Sequence, residues 1–304
     1  MWARGRRAML ARSMVATVDI RVPEQAIAAS PPIDGATLRD YAAMELDRAI
    51  AHLGWHGGRV HEGVHQGRKS LRRTRAVLAL GARALGPGAE LIDREVRRVN
   101  ISVSKMRDKQ ALVETLDRLI AKGRNADALP VLRRARRVAA RARAESARRE
   151  LAEDPGLSHK RAILKTLRAA LPALPWETLS ASRVRDALDY ALVRVETSGA
   201  RARATGRDDD WHRWRRRVRR LSQQHRAVGE RYPDIGSARK RCKVLAELLG
   251  EAQDYALLRD HCGRRSIFAQ PDRELLVLLA DEGTARMRER IERSLDEPAI
   301  AETQ

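Results

Sequence analysis

Two short segments carry the side chains best suited to chemistry: His65-Gln66-Gly67-Arg68-Lys69-Ser70-Leu71-Arg72-Arg73 and His212-Arg213-Trp214-Arg215-Arg216-Arg217-Val218-Arg219-Arg220. In each, a histidine is followed at the third, fourth, seventh and eighth positions by a basic residue. At about 100° per residue the first three of these fall within roughly 60° of the histidine. His65, Arg68, Lys69 and Arg72 therefore share one helix face, and His212, Arg215, Arg216 and Arg219 share another. A guanidinium is a rigid fork of donors matched to phosphate oxygens, and an imidazole donates from one nitrogen when neutral and from both when protonated. Rows of such donors suit an anionic polymer with repeated oxygens and no base to read. A phosphate neighbour favours the protonated ring, so binding is expected to strengthen as pH falls through the histidine range.

Each segment has a downstream partner, Met106-Arg107-Asp108 for the first and Leu249-Gly250-Glu251-Ala252-Gln253-Asp254 for the second. His65 precedes Asp108 by 43 residues, His212 precedes Asp254 by 42, and the histidines lie 147 apart. Such self-similarity predicts two related bundles packed about a pseudo-twofold axis. A bare carboxylate repels phosphate, so Asp108 and Asp254 read as groups that orient Arg or His. In combination these motifs resemble the CHAD family of α-helical domains, over about Thr37 to Leu295. The resemblance implies two four-helix bundles meeting along a basic groove, inorganic polyphosphate as ligand and polyphosphate granules as cellular address. It implies phosphate contacts from His65, Arg68, Arg72, Arg73, His212, Arg215, Arg216, Arg219 and Arg220, with Lys69 beside them on its face. His61, which lies on the His65 face, Arg75 and Arg107 are further candidate contacts.

Charge points the same way. The formal net charge is +21 and the pI about 11.2, a balance that attracts polyanions. With 53 Arg against eight Lys, composition alone explains part of the excess, so the placement of the charge carries the inference. The Arg133 to Arg149 row has no counterpart in the second half and reads as a solvated face. An excess of arginine disfavours a divalent cation, and there is no acidic cluster of the sort that Mg²⁺ or Ca²⁺ requires, so binding without catalysis, metal or cofactor is expected over the alternative of a metal-dependent phosphohydrolase or a phosphotransferase using the histidines. Nucleic acid should bind only non-specifically, since no helix-turn-helix, zinc finger or RNP sequence occurs. Trp211 and Trp214 read as bundle packing rather than as a base-stacking platform. His52, His56, His159, His225 and His261 read as structural or solvated. Cys242 and Cys262 have no metal-like spacing, and the apolar run from Leu275 to Ala280 is too short to cross a bilayer. A cytoplasmic protein is expected.

The elements that must position these groups are helical throughout. Residues 1–35 read as a flexible segment, 36–298 as the domain (first bundle about 36–156, second about 157–298) and 299–304 as a tail. Thr37 with Asp40 resembles a capping box at the first helix, which Gly54 to Gly58 stops. A second helix is expected from about Arg59 to Leu85 before Gly86-Pro87-Gly88. A third runs through Ile92, Val96, Val99, Val103, Met106, Leu112, Leu116 and Leu119 to Gly123, and a fourth over Asp127 to Leu151. The second half holds a short helix at Lys160 to Leu171 and one capped by Ser180. Others run from Asp208 to Arg231, from an Asp234 cap with a possible bend at Gly250, and from Pro271-Asp272 to Leu295. No βαβ alternation occurs, so the class is all-α.

Overall fold

The computed structural model describes residues 34–123, 126–229 and 236–296. Ten α-helices run through them: α1 Gly35–Leu53, α2 Val60–Leu80, α3 Gly86–Ser102, α4 Ser104–Lys122, α5 Leu129–Glu153, α6 Ser158–Ala170, α7 Ala181–Thr205, α8 Asp208–Gly229, α9 Gly236–His261 and α10 Gln270–Asp296. No strand occurs among the described residues, and the fold is all-α. Helix ends follow local chemistry. Ser180 accepts from the Arg183 N–H at the start of α7, and Gly123 and Gly206, at φ 53° and 64°, close α4 and α7 in the left-handed conformation that glycine adopts without strain.

Several boundaries differ from the sequence reading. The first cap is Asp34, whose side chain accepts from the Thr37 N–H at 2.8 Å, so α1 begins at Gly35. A Cβ at Gly35 would lie 1.7 Å from the Trp176 carbonyl oxygen, so the helix start is seated where only glycine fits. The second helix stops at Leu80, where the Gly81 N–H turns back to Val77. The expected third helix is two, α3 and α4, broken at Val103, which is buried and adopts φ −91°, ψ 9°. The α9 helix is continuous through Gly250. The expected Asp234 cap and the end of the preceding helix near Tyr232-Pro233 lie outside the described residues.

Buried apolar side chains form two cores. The larger gathers α1, α2, α3, α6, α7 and α8, with Leu249 of α9 and Ile291 of α10. The smaller is built from Leu112 and Leu116 of α4, Leu132 and Ala139 of α5, Leu258 of α9, Phe268, and Leu276 and Ala280 of α10. Packing crosses the boundary expected at residues 156 and 157, because α6 lies on α1 and α3 with Leu164 fully buried. Trp214 is buried at the α7–α8 interface, where Gly199 lets α7 approach its indole, and Trp211, also buried, packs against Trp214 and under the Arg288 guanidinium, so neither ring is free for a base.

Function depends on a smaller set. The α2 helix packs on α8 and α4, and α9 packs on α8 and α4, so four helices close a ring. The α4 and α9 helices run antiparallel, tied by Arg118 to Asp254 at 2.9 Å and Lys122 to Glu251 at 3.0 Å.

Candidate functional site

The inward faces of this ring bring the two basic segments together. Arg72 and Arg219 hold equivalent places in the repeated segments, and each lies within electrostatic reach of the other segment: Arg72 feels Arg215, Arg68 and Arg107, and Arg219 feels Arg215, Arg72 and Arg68. The two helices pack directly together, with α4 and α9 completing the enclosure. The Nε atoms of Arg68, Arg72 and Arg215 are buried without a hydrogen-bond partner. Burial first and like-charge repulsion second push Arg72 down to about 9 and Arg219 down to about 8, and burial also lowers Arg68 and Arg215. Arg68 holds one protein acceptor, the Asn100 carbonyl oxygen. The crossing thus concentrates positive charge in a water-poor place with few counter-charges, where an anion gains most.

Three other predicted contacts already hold a protein carboxylate. Arg73 donates to the fully buried carboxylate of Glu45 at 3.1 Å and to Gln223 at 3.3 Å, linking α1, α2 and α8. Arg75 grips Asp93 of α3 through two bonds of 2.8 and 3.0 Å. Arg107 is paired with Glu114 at 2.8 Å, yet its charge reaches His65, Arg72 and Arg215. Arg216 and Arg220 are exposed. Lys69 is half-buried and lowered by burial and by Arg73 and Arg72. Asp254 accepts from Arg118 at 2.9 Å. Asp108 opens to solvent but is ringed by protein, which raises its carboxyl against the pull of Arg68, His261 and Arg107.

Burial holds the histidines neutral. His65 is pushed down to about 4, chiefly by desolvation and then by Arg107 and Lys69. His212 is lowered by burial and by Arg215, Arg216 and Arg219, and its Nδ1 lies 2.6 Å from Gln253 Oε1. His61 is lowered by burial and by Arg143. Strengthening of anion binding through the ordinary histidine range therefore requires the ligand itself to raise these rings.

Three participants were missed from sequence. Gln253 stands before Asp254 as Arg107 stands before Asp108, so the repeat offset already marked its position. Arg143 of α5 donates to Gln110 at 3.0 Å and reaches His61. His261 donates from Nδ1 to the Leu257 carbonyl at 2.8 Å, which leaves Nε2 to accept from Lys109 at 3.4 Å. These last two lie outside the repeated segments, and no spacing signals them. Beside His212 and Arg215 a cleft of about 490 Å³ opens between α8, α9 and α10, lined also by Trp211, Gln253, Asp260 and Arg288.

Among the described residues no group of three or more His, Cys, Asp or Glu has metal-binding geometry. Burial pushes the Cys242 thiol up to about 12 and that of Cys262 up to about 11, which disfavours thiolate chemistry. No described helix is long and apolar enough to cross a membrane.

Residues 36–263 match the family model of the CHAD domain. The fold is similar to that of PptA from Streptomyces chartreusis, at TM-score 0.65 and 18% identity over 88% of this chain and 100% of that one. It is also similar to the CHAD domain from the plant Ricinus communis, at TM-score 0.63 and 18% identity over 90% of this chain and 96% of the other. No curated protein is detectably similar in sequence.

Proposed function

The chain belongs to the CHAD domain family, and on that premise we propose that it binds long-chain inorganic polyphosphate in the basic enclosure between α2, α4, α8 and α9. The observation that carries this reading is the crowding of Arg68, Arg72, Arg215 and Arg219, with buried guanidinium nitrogens and few counter-charges. A linear polyanion would supply one anionic oxygen after another to these donors, and the free energy of their mutual repulsion would be released as each is neutralised. Binding proceeds without turnover in this reading, and its cellular use is association with polyphosphate granules in the cytoplasm. Nucleic acid competes weakly and without sequence preference, because Trp211 and Trp214, the rings beside the basic segment, are buried.

Titration with defined long-chain polyphosphate at physiological salt, beside single-stranded DNA of matched phosphate content, tests the reading. Polyphosphate should bind more tightly, and Arg68→Glu with Arg215→Glu should weaken it by about 100-fold or more, since two charge-assisted contacts are removed and two repulsions added. Arg134→Glu with Arg136→Glu, which already pair with Asp272 and Asp117 on the outer face, should cost far less. Equal binding of both polymers, or equal losses in the two double variants, would reduce the site to a diffuse basic surface. Steady phosphate release abolished by His65→Ala or His212→Ala would overturn the absence of turnover.

A further inference from the structure

The two histidines sit in unlike surroundings. Gln253 Oε1 lies 2.6 Å from Nδ1 of His212. An amide oxygen only accepts, so Nδ1 must carry the hydrogen, and the neutral ring then presents a lone pair at Nε2. A phosphate oxygen brought to that nitrogen is also only an acceptor, and two lone pairs repel. His212 and Arg215 both line the cleft beside α9, so the ring stands where an anion can approach. His65 meets a different neighbour. The position corresponding to Gln253 is Arg107, a cation with no acceptor to offer, and the other charges acting on the His65 ring are Lys69, Arg72 and Glu114, the carboxylate that Arg107 already holds. Either tautomer is open to His65, including one that donates to phosphate while neutral.

We propose that Gln253 is a positioning residue that fixes His212 as the Nδ1–H tautomer, so that a phosphate seated against this ring takes up one proton at Nε2, whereas a phosphate at His65 binds with no proton change. The inference rests on the polyphosphate reading of the site. The proton comes from solvent, and no bond other than the new N–H is made. The charges facing His212 are Arg215, Arg216 and Arg219 from its own helix, which together with burial keep the ring neutral before the ligand arrives. Asp208 and Asp209 begin that helix, and Arg259 and Asp260 of α9 and Arg288 of α10 line the same cleft. Asp208 is bound by both Arg259 and Arg288, and the carboxylates that oppose the arginines are Asp254, which acts on Arg215 and Arg219, and Asp108, which acts on Arg215. A phosphate that neutralises Arg215 and Arg219 removes the main obstacle to protonation.

The test uses the full chain. Nitrogen-15 NMR of the free protein should show His212 protonated at Nδ1 and not at Nε2. Calorimetric titration with long-chain polyphosphate, in neutral buffers of different ionisation enthalpy, counts protons taken up. Internal phosphates of a long chain are strong acids, so the count reports the protein. Wild type should take up about one proton, with affinity rising about tenfold per pH unit as pH falls across the linked window. Gln253→Leu frees the ring to present Nε2–H, so uptake should fall towards zero and the pH profile should flatten. Gln253→Glu stabilises the imidazolium in advance, so uptake should also fall while affinity above neutral pH rises. His65→Gln should weaken binding with the proton count unchanged. An Nε2–H ring in the free protein, or an unchanged proton count in Gln253→Leu, would overturn the proposal. If polyphosphate instead binds no better after all these comparisons than matched DNA, the functional reading fails, and the tautomer measurement still decides the role of Gln253.

Discussion

A buried arginine crowded by like charges destabilises the fold, and Arg219, pushed down to about 8 against the pull of Asp254, is the sharpest case here. Arg219→Met keeps most of the apolar stem and removes the repulsion. It should raise stability by an amount on the order of 1–3 kcal/mol while weakening polyanion binding. Urea denaturation read beside a binding titration checks both, and a loss of stability would mean that the guanidinium is satisfied in the free protein. Buried histidine acts on stability through pH. His225 is 2% exposed and pushed down from 6.5 to about 4 by burial. Between those values the unfolded chain binds a proton that the native protein refuses, so stability present above pH 6.5 drains away as pH falls towards 4. The loss should be on the order of 3 kcal/mol for this group. In His225→Leu that part of the acid sensitivity should vanish, as denaturation at neutral and acidic pH would reveal.

Glycines at the level of the helix separate two roles. Nothing lies within 4 Å of a Cβ built on Gly250 in mid-α9, whereas a Cβ on Gly199 would meet the Trp214 indole at 2.9–3.1 Å. Gly250→Ala should therefore stabilise by about 1 kcal/mol through helix propensity alone. Gly199→Ala should destabilise by about 1–3 kcal/mol by forcing α7 from α8. Thermal melts of the two variants should move in opposite directions. The same local logic explains what could be read in advance. Leucine and valine at helical spacing marked nearly every helix, but Val96, Val99, Val103 and Met106 keep that spacing across the α3–α4 break, so periodicity alone runs straight through it. Asp34/Thr37 and Thr37/Asp40 share one spacing, which is why the cap was placed three residues late. The shared faces of the His65 and His212 segments located the charge cluster. Arg73 and Arg75 diverted elsewhere because their counter-charges, Glu45 and Asp93, come from other helices, and a linear pattern holds no record of such partners.

For the whole molecule, polyanion binding should follow counterion release. If about six phosphates are neutralised, the log–log salt dependence should have a slope of roughly −4, by analogy with single-stranded nucleic acids. Titrations from low to high salt measure it, and a slope near zero would exclude the enclosure as the binding surface. Bound polyphosphate should also raise the melting temperature, because the ligand favours the native state. The smaller core has a different consequence. Its α4 and α5 side chains, Leu112, Leu116 and Leu132, are covered by Phe268, Leu276 and Ala280 from the far end of the chain. On the ribosome the first set emerges long before its cover has been translated. The nascent chain therefore carries a greasy, arginine-fringed surface while the intervening helices are translated, and chaperones should hold it until Phe268, Leu276 and Ala280 arrive.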